Sequence, residues 1–169
     1  MNVMREIKIE KVTLNIGVGK PGEQLDKAMK LLNNITGSKI LQTKSMKRIP
    51  DWGVRPNLAI ACKATIRGKS AVDLLKRLFK AINNKISFSK FDNNGNFSFG
   101  ISEYIDIPGL EYDVDVGIIG MDVAVTLERP GFRIKRRRLK QRKIPLRHRI
   151  SREEGIEFVQ KKFGVVVER

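Results

Sequence analysis

The sequence predicts an α+β protein: a mostly antiparallel sheet with helices packed on one face, plus a basic arm. Three observations carry this. Several stretches alternate apolar and polar residues with a period of two, which marks strands with one greasy face. Three helical stretches lie between them, each apolar along one stripe only, so each can cover the sheet from one side. After Pro130-Gly131, a dense run of cations replaces any periodic pattern. There is no internal repeat and no linker, so residues 1–169 are expected to form one domain, with the arm, 133–149, inside it.

Residues 11–22, KVTLNIGVGKPG, form the organising strand and its exit turn. Val12, Leu14, Ile16 and Val18 alternate with Lys11, Thr13, Asn15 and Gly17. Ile7 and Ile9 open an alternation that slips phase before Val12, which predicts a bulge near Glu10 and Lys11. From Glu23 the spacing becomes helical, with Leu25, Ala28, Met29, Leu32 and Ile35 on one face and Gly37 as the stop. Residues 40–46 read as a short strand. The stretch 47–57, KRIPDWGVRPN, is expected to protrude, because two prolines and a glycine exclude regular structure. In 59–67, Ile60, Cys62, Ala64 and Ile66 face inward, and Lys63, Thr65 and Arg67 outward. Ser70-x-x-Asp73 has the pattern of a capping box, opening a helix buried through Ala71, Leu74, Leu75, Leu78 and Ile82.

Residues 83–90 read as a polar connector. A tight turn at Asn94-Gly95 leads to a strand through Phe97 and Phe99. Residues 104–116 are loop-like and acidic. A further strand buries Met121, Val123, Val125 and Leu127. Ser151-x-x-Glu154 is a second capping box, for a helix through Ile156, Val159 and Phe163 that stops at Gly164. Residues 165–167 suit an edge strand.

The net charge of +16 is unevenly spread: +13 over 1–90, −8 over 91–128 and +11 over 129–169. So basic a domain usually meets a polyanion. Phosphate would repel the middle block, so the charge map suggests two kinds of partner. A membrane is a poor candidate: no apolar run approaches the roughly 20 residues of a span, and the N-terminus has no apolar export core. The single cysteine, Cys62, excludes an internal disulfide and fits a reducing compartment.

If the first and third strands are neighbours, Lys11, Thr13 and Asn15 lie beside Lys63, Thr65 and Arg67 on one uncovered cationic face. The arm contributes Arg133, Lys135, Arg136, Arg137, Arg138, Lys140, Arg142, Lys143, Arg147 and Arg149. Guanidinium groups bind phosphate bidentately, though charge alone does not separate RNA from DNA. Ile134, Leu139, Ile144, Pro145 and Leu146 interrupt the run, and a capped helix follows, so the arm is expected to be anchored at both ends. Trp52 in its basic loop either stacks on a base or ribose or folds back as an anchor.

Enzymatic readings are poorly supplied. Residues 17–22, GVGKPG, match G-x-G-x-x-G, but Pro21 disturbs the turn, no acid follows at the ribose position, and the sheet is not βαβ. One Cys and one His cannot build a structural zinc site. Asp106, Glu111, Asp113 and Asp115 have no EF-hand spacing and read as a solvated or partner-facing surface. No nucleophile motif is present, and His148, the one histidine, lies in the basic run. Neither a metal nor a cofactor is expected.

Five stretches carry a resemblance: KVTLNIGVG, TGSKILQTK, CKATIRG, FDNNGNFSFGISEYIDIPGLEYD and GMDVAVTLERPGFRIKRRR. In this order they resemble the large-subunit ribosomal protein five family, in its archaeal type, the eukaryotic counterpart being called ribosomal protein eleven. The resemblance runs from about residue 4 to 166. It implies a structural, non-enzymatic constituent of the large subunit, cytoplasmic and ribosome-bound. It implies an antiparallel sheet that binds 5S ribosomal RNA in the central protuberance, and contacts to large-subunit RNA. It also implies a bridge to small-subunit ribosomal protein thirteen, here through Glu111, Asp113 and Asp115. A family loop approaches the elbow of the P-site transfer RNA; by alignment it is 47–57, with Lys47, Arg48, Trp52 and Arg55 as contacts. The family's 5S-binding positions fall on Asn15 and Thr65. A third usually carries Gln in a Gly-Gln-Lys-Pro turn, where this chain has Gly37-Ser38-Lys39-Ile40. Ser38 reaches less far, so its contact is either lost or bridged by water. Bacterial members lack the arm, whose role therefore rests on its charge. Ribosomal protein eighteen is a further candidate partner. The competing classes are a free-standing RNA- or DNA-binding module and a nucleotide-dependent enzyme.

Overall fold

The computed structural model describes residues 2–168. Its centre is β1 (Lys8–Gly17), whose Val12, Leu14 and Ile16 are fully buried. The chain then forms α1 (Glu23–Thr36), β2 (Leu41–Lys44), β3 (Ala59–Ile66) and α2 (Lys69–Ala81). After β4 (Lys85–Ser87) come β5 (Phe97–Ile101), β6 (Met121–Glu128), α3 (Arg152–Phe163) and β7 (Val166–Glu168). Five strands make an antiparallel sheet in the order β2-β3-β1-β6-β5, with β1 in the middle. The architecture is the expected α+β one. The sheet takes strands from both halves of the chain.

The expected phase slip is present: pairing of β1 with β6 shifts between Ile9 and Lys11, leaving Glu10 as the bulged residue. Below the sheet, α1 buries Leu25, Ala28, Leu31, Leu32 and Ile35, and α2 buries Ala71, Leu74, Leu75, Leu78 and Phe79. Leu31 thus takes the place expected of Met29, which is half-buried and accepts a hydrogen bond from Gln42 on β2. Phe79 takes the place expected of Ile82, which lies at the C-cap. Phe79 stacks on Phe97 and Phe99 and meets Phe163 edge-on, joining α2, β5 and α3 in one aromatic core.

The Ser70–Asp73 capping box does not form. Gly68 is the N-cap, at φ 71, and no side chain caps α2. A glycine takes that torsion without strain and turns the chain straight into the helix, which leaves Ser70 inside the first turn. The second box is real: Ser151 Oγ accepts from the Glu154 amide, and the Glu154 carboxylate accepts from the Ser151 amide. The polar connector at 83–90 contains β4, which pairs in parallel with β7 as a small second sheet. With one apolar residue, Ile86, three residues show no period. A Cβ on Gly155 would lie 2.7 Å from the Gly95 carbonyl oxygen, so α3 sits directly on the turn before β5.

Candidate nucleic-acid interface

The helices cover one face of the sheet and leave the other open. On that open face, cross-strand partners form rows. Thr65, Thr13, Ala124 and Ser98 make one. The next is Leu41, Lys63, Asn15, Asp122 and Gly100. Lys11 faces Thr126 at one end. Thr13, Asn15 and Lys11 are half-buried; Lys63, Thr65 and Arg67 are exposed. The hydroxyls, amide and cations anticipated on β1 and β3 therefore share one solvent-facing surface.

Ser38 and Lys39 lie just before β2, whose first residue pairs with Lys63. The Ser38 hydroxyl donates to the Thr36 carbonyl, so it is already used in its own turn. The glycine turn after β1 is similarly committed. The Val18 and Gly19 amides both donate to the Ile60 carbonyl, at 3.0 and 2.8 Å, which removes donors a pyrophosphate would need.

The loop 47–57 leaves the sheet at the Gly17 end of β1. It closes on itself through paired Ile49 and Val54 backbone groups, and only Val54 is buried. Trp52 is 72% exposed, so its ring is not folded back as an anchor. Lys47, Arg48 and Arg55 are exposed around it.

The arm lies at the other end of β1. Arg136 pairs with Glu10 and, at 2.7 Å, with Glu128 on β6. Glu10 also meets Arg67 at 3.3 Å. The buried Arg129 donates to the carbonyls of His148 and Arg149 and to the Glu154 carboxylate at 2.7 Å, pinning the arm's return to α3. His148 Nε2 lies 3.0 Å from the Pro130 carbonyl oxygen. Burial works to raise the pKa of Glu154, but the Ser151 amide and Arg129 outweigh it and hold this carboxyl below its ordinary value. Between arm and sheet lies a cleft of about 470 Å³ onto which Lys11, Lys135, Lys143 and Arg149 open. Arg133, Arg137, Arg138, Lys140, Arg142 and Arg147 are exposed. Arg136 is thus an anchor, and the free cations surround it.

The acidic block does not form one surface. Asp92 accepts from the Asn94 and Asn96 amides in the turn before β5, Glu128 holds the arm, and Asp122 lies on the open face. Glu111, Asp113 and Asp115 remain together in a loop beside α1, held by the Asp113 amide on the buried Tyr104 hydroxyl. Exposed Tyr112, Val114 and Ile118 accompany them, an apolar component that charge counting missed. Among the described residues no cluster of His, Cys, Asp or Glu could hold a metal ion, and no helix is long and apolar enough to cross a membrane.

Two family models match the chain: that of ribosomal protein L5 over residues 2–55, and that of the same ribosomal family's C-terminus over residues 59–158. The chain is 49% identical to the large ribosomal subunit protein uL5 of Sulfolobus acidocaldarius, over 98% of this chain and 93% of that relative. It is 51% identical to that of Nanoarchaeum equitans, over 97% of each. Against the Methanosphaera stadtmanae protein the identity is 46%, over 99% of this chain and all of the relative. On both grounds, the chain belongs to the ribosomal protein L5 family.

Proposed function

We propose that the open face of β1 and β3 grips 5S ribosomal RNA and helps to seat it in the central protuberance. Membership of the family makes the chain a structural constituent of the large ribosomal subunit rather than an enzyme. The observation that carries the 5S reading is the register: Thr13 faces Thr65 and Asn15 faces Lys63 on a surface no helix covers. Cations there neutralise phosphates, while the amide and hydroxyls hydrogen-bond to riboses or base edges. Lys39 extends the same surface, while the contact at Ser38 is either lost or bridged by water. The free cations of the arm hold large-subunit RNA. The loop with Lys47, Arg48, Trp52 and Arg55 reaches the P-site transfer RNA. The loop with Glu111, Asp113 and Asp115 faces a basic protein of the small subunit, as protein thirteen would be, and the exposed Tyr112 and Val114 suit such a contact.

The test is Asn15→Ala, measured by 5S RNA binding and footprinting. We expect affinity to fall about tenfold, as for loss of a hydrogen bond to a base or sugar, with the unfolding midpoint unchanged. Unaltered affinity and footprint would remove Asn15 from the interface.

A further inference from the structure

Asp122 is out of place on a surface meant for RNA. Its carboxylate is exposed on the open face, towards the Gly17 end of β1, cross-strand from Asn15, with Cα atoms about 5 Å apart. No ion pair or side-chain hydrogen bond engages it among the described residues, not even with Lys63 on the far side of Asn15. Directed at phosphate, it would oppose binding. Its surroundings suggest another use. Gly17 and Gly100 lie on the same face, and both have ordinary backbone torsions. A Cβ on Gly17 would meet nothing within 4 Å, and one on Gly100 would meet only the Asp122 Oδ1, at 3.9 Å. Neither strain nor crowding asks for glycine there, and glycine weakens a strand, so the missing side chains mark close approach by another molecule. They leave a shallow cleft of about 420 Å³, bordered by Asn15, Ser102 and Asp122 over a floor of backbone.

We infer that Asp122 reads a guanine base from this cleft. A carboxylate only accepts hydrogen bonds, and it accepts two side by side. Among the four bases, guanine offers two adjacent donors on its pairing edge, the N1 imino and N2 amino groups. An unpaired guanine entering the cleft would place this edge on Asp122, with Asn15 free to meet the adjoining O6 or ribose. The carboxylate thereby contributes selectivity on a surface whose cations bind any RNA.

The inference rests on the 5S reading above, and the experiment separates the two. Asp122→Asn retains shape and replaces one acceptor by a donor. The expected result is about tenfold weaker binding of 5S RNA, with an unchanged unfolding midpoint and an unchanged salt slope. One or more guanines that the native protein shields from kethoxal, which attacks N1 and N2, would become reactive. If Asp122 merely faces phosphate, the variant binds more tightly, and the inference falls. It falls equally if affinity drops with every guanine still shielded. If Asn15→Ala binds as well as the native protein, it is the 5S reading that fails.

Discussion

The molecule has two basic projections, the loop 47–57 and the arm 133–149, and they are held in different ways. The loop is closed by its own backbone and by burial of Val54, and no carboxylate engages Lys47, Arg48 or Arg55 among the described residues. The arm is tied at its root by carboxylates outside it: Glu10, 126 residues away from Arg136, Glu128 at the end of the preceding strand, and beside it the Arg129–Glu154 pair. Similar composition therefore gives a self-contained probe in one place and a strap against the sheet in the other. A basic run becomes a basic surface only where no acid reaches it.

The largest effect expected from breaking this contrast is at Arg129. It is 4% exposed and satisfies two carbonyls and one carboxylate. Arg129→Met should cost about 3 kcal/mol, since it strands those acceptors, and urea unfolding would measure it. A shift below about 0.5 kcal/mol would mean the arm's return is held by something else. The link also has a pH signature. Because the folded pKa of Glu154 lies below its ordinary 4.5, its stabilisation is complete above that value and fades as pH falls through the lowered one. The gap between native and variant stability should therefore narrow in acid.

A smaller effect is expected at Glu10. Its carboxylate is largely buried, but both arginine partners are half in water, so Glu10→Gln should cost only about 1 kcal/mol. The informative readout is elsewhere. Arg67 and Arg136 gain freedom to meet phosphate, so the plot of log affinity for RNA against log salt should steepen by about one unit. Amide exchange through 133–142 should quicken. An unaltered slope would show that the arm's cations engage RNA independently of the clasp.

The sequence displayed whatever repeats locally. Alternation located β1, β3, β5 and β6; helical stripes located α1 and α2; the bulge at Glu10 appeared as a slipped phase. Thr13, Asn15 and Thr65 were legible as one face once their strands were taken as neighbours. Contacts between distant residues left no such trace. Nothing near Arg136 announces Glu10, and nothing in the acidic block distinguishes Glu128, which holds the arm, from Asp115, which does not. At Ser70 a local pattern misled, because Gly68 had already turned the chain. Asp122 escaped notice because its meaning lies in the row it completes with Asn15 and Gly100.

The smallest expected effect tests the loop's half of the contrast. Trp52→Ala should leave the unfolding free energy within about 0.5 kcal/mol of native, because an exposed ring contributes little packing. As the one tryptophan in the chain, it also reports directly. Its emission should lie at the wavelength of indole in water, and iodide should quench it as readily before unfolding as after. A blue-shifted, protected emission in the free protein would show the ring folded onto the sheet. The loop would then be a second strap, and its cations would be presented by tertiary contacts, as the arm's are. Solvent-like emission that becomes protected when transfer RNA is added with the large subunit would instead locate the ring at the partner, where a loop closed on itself can deliver it.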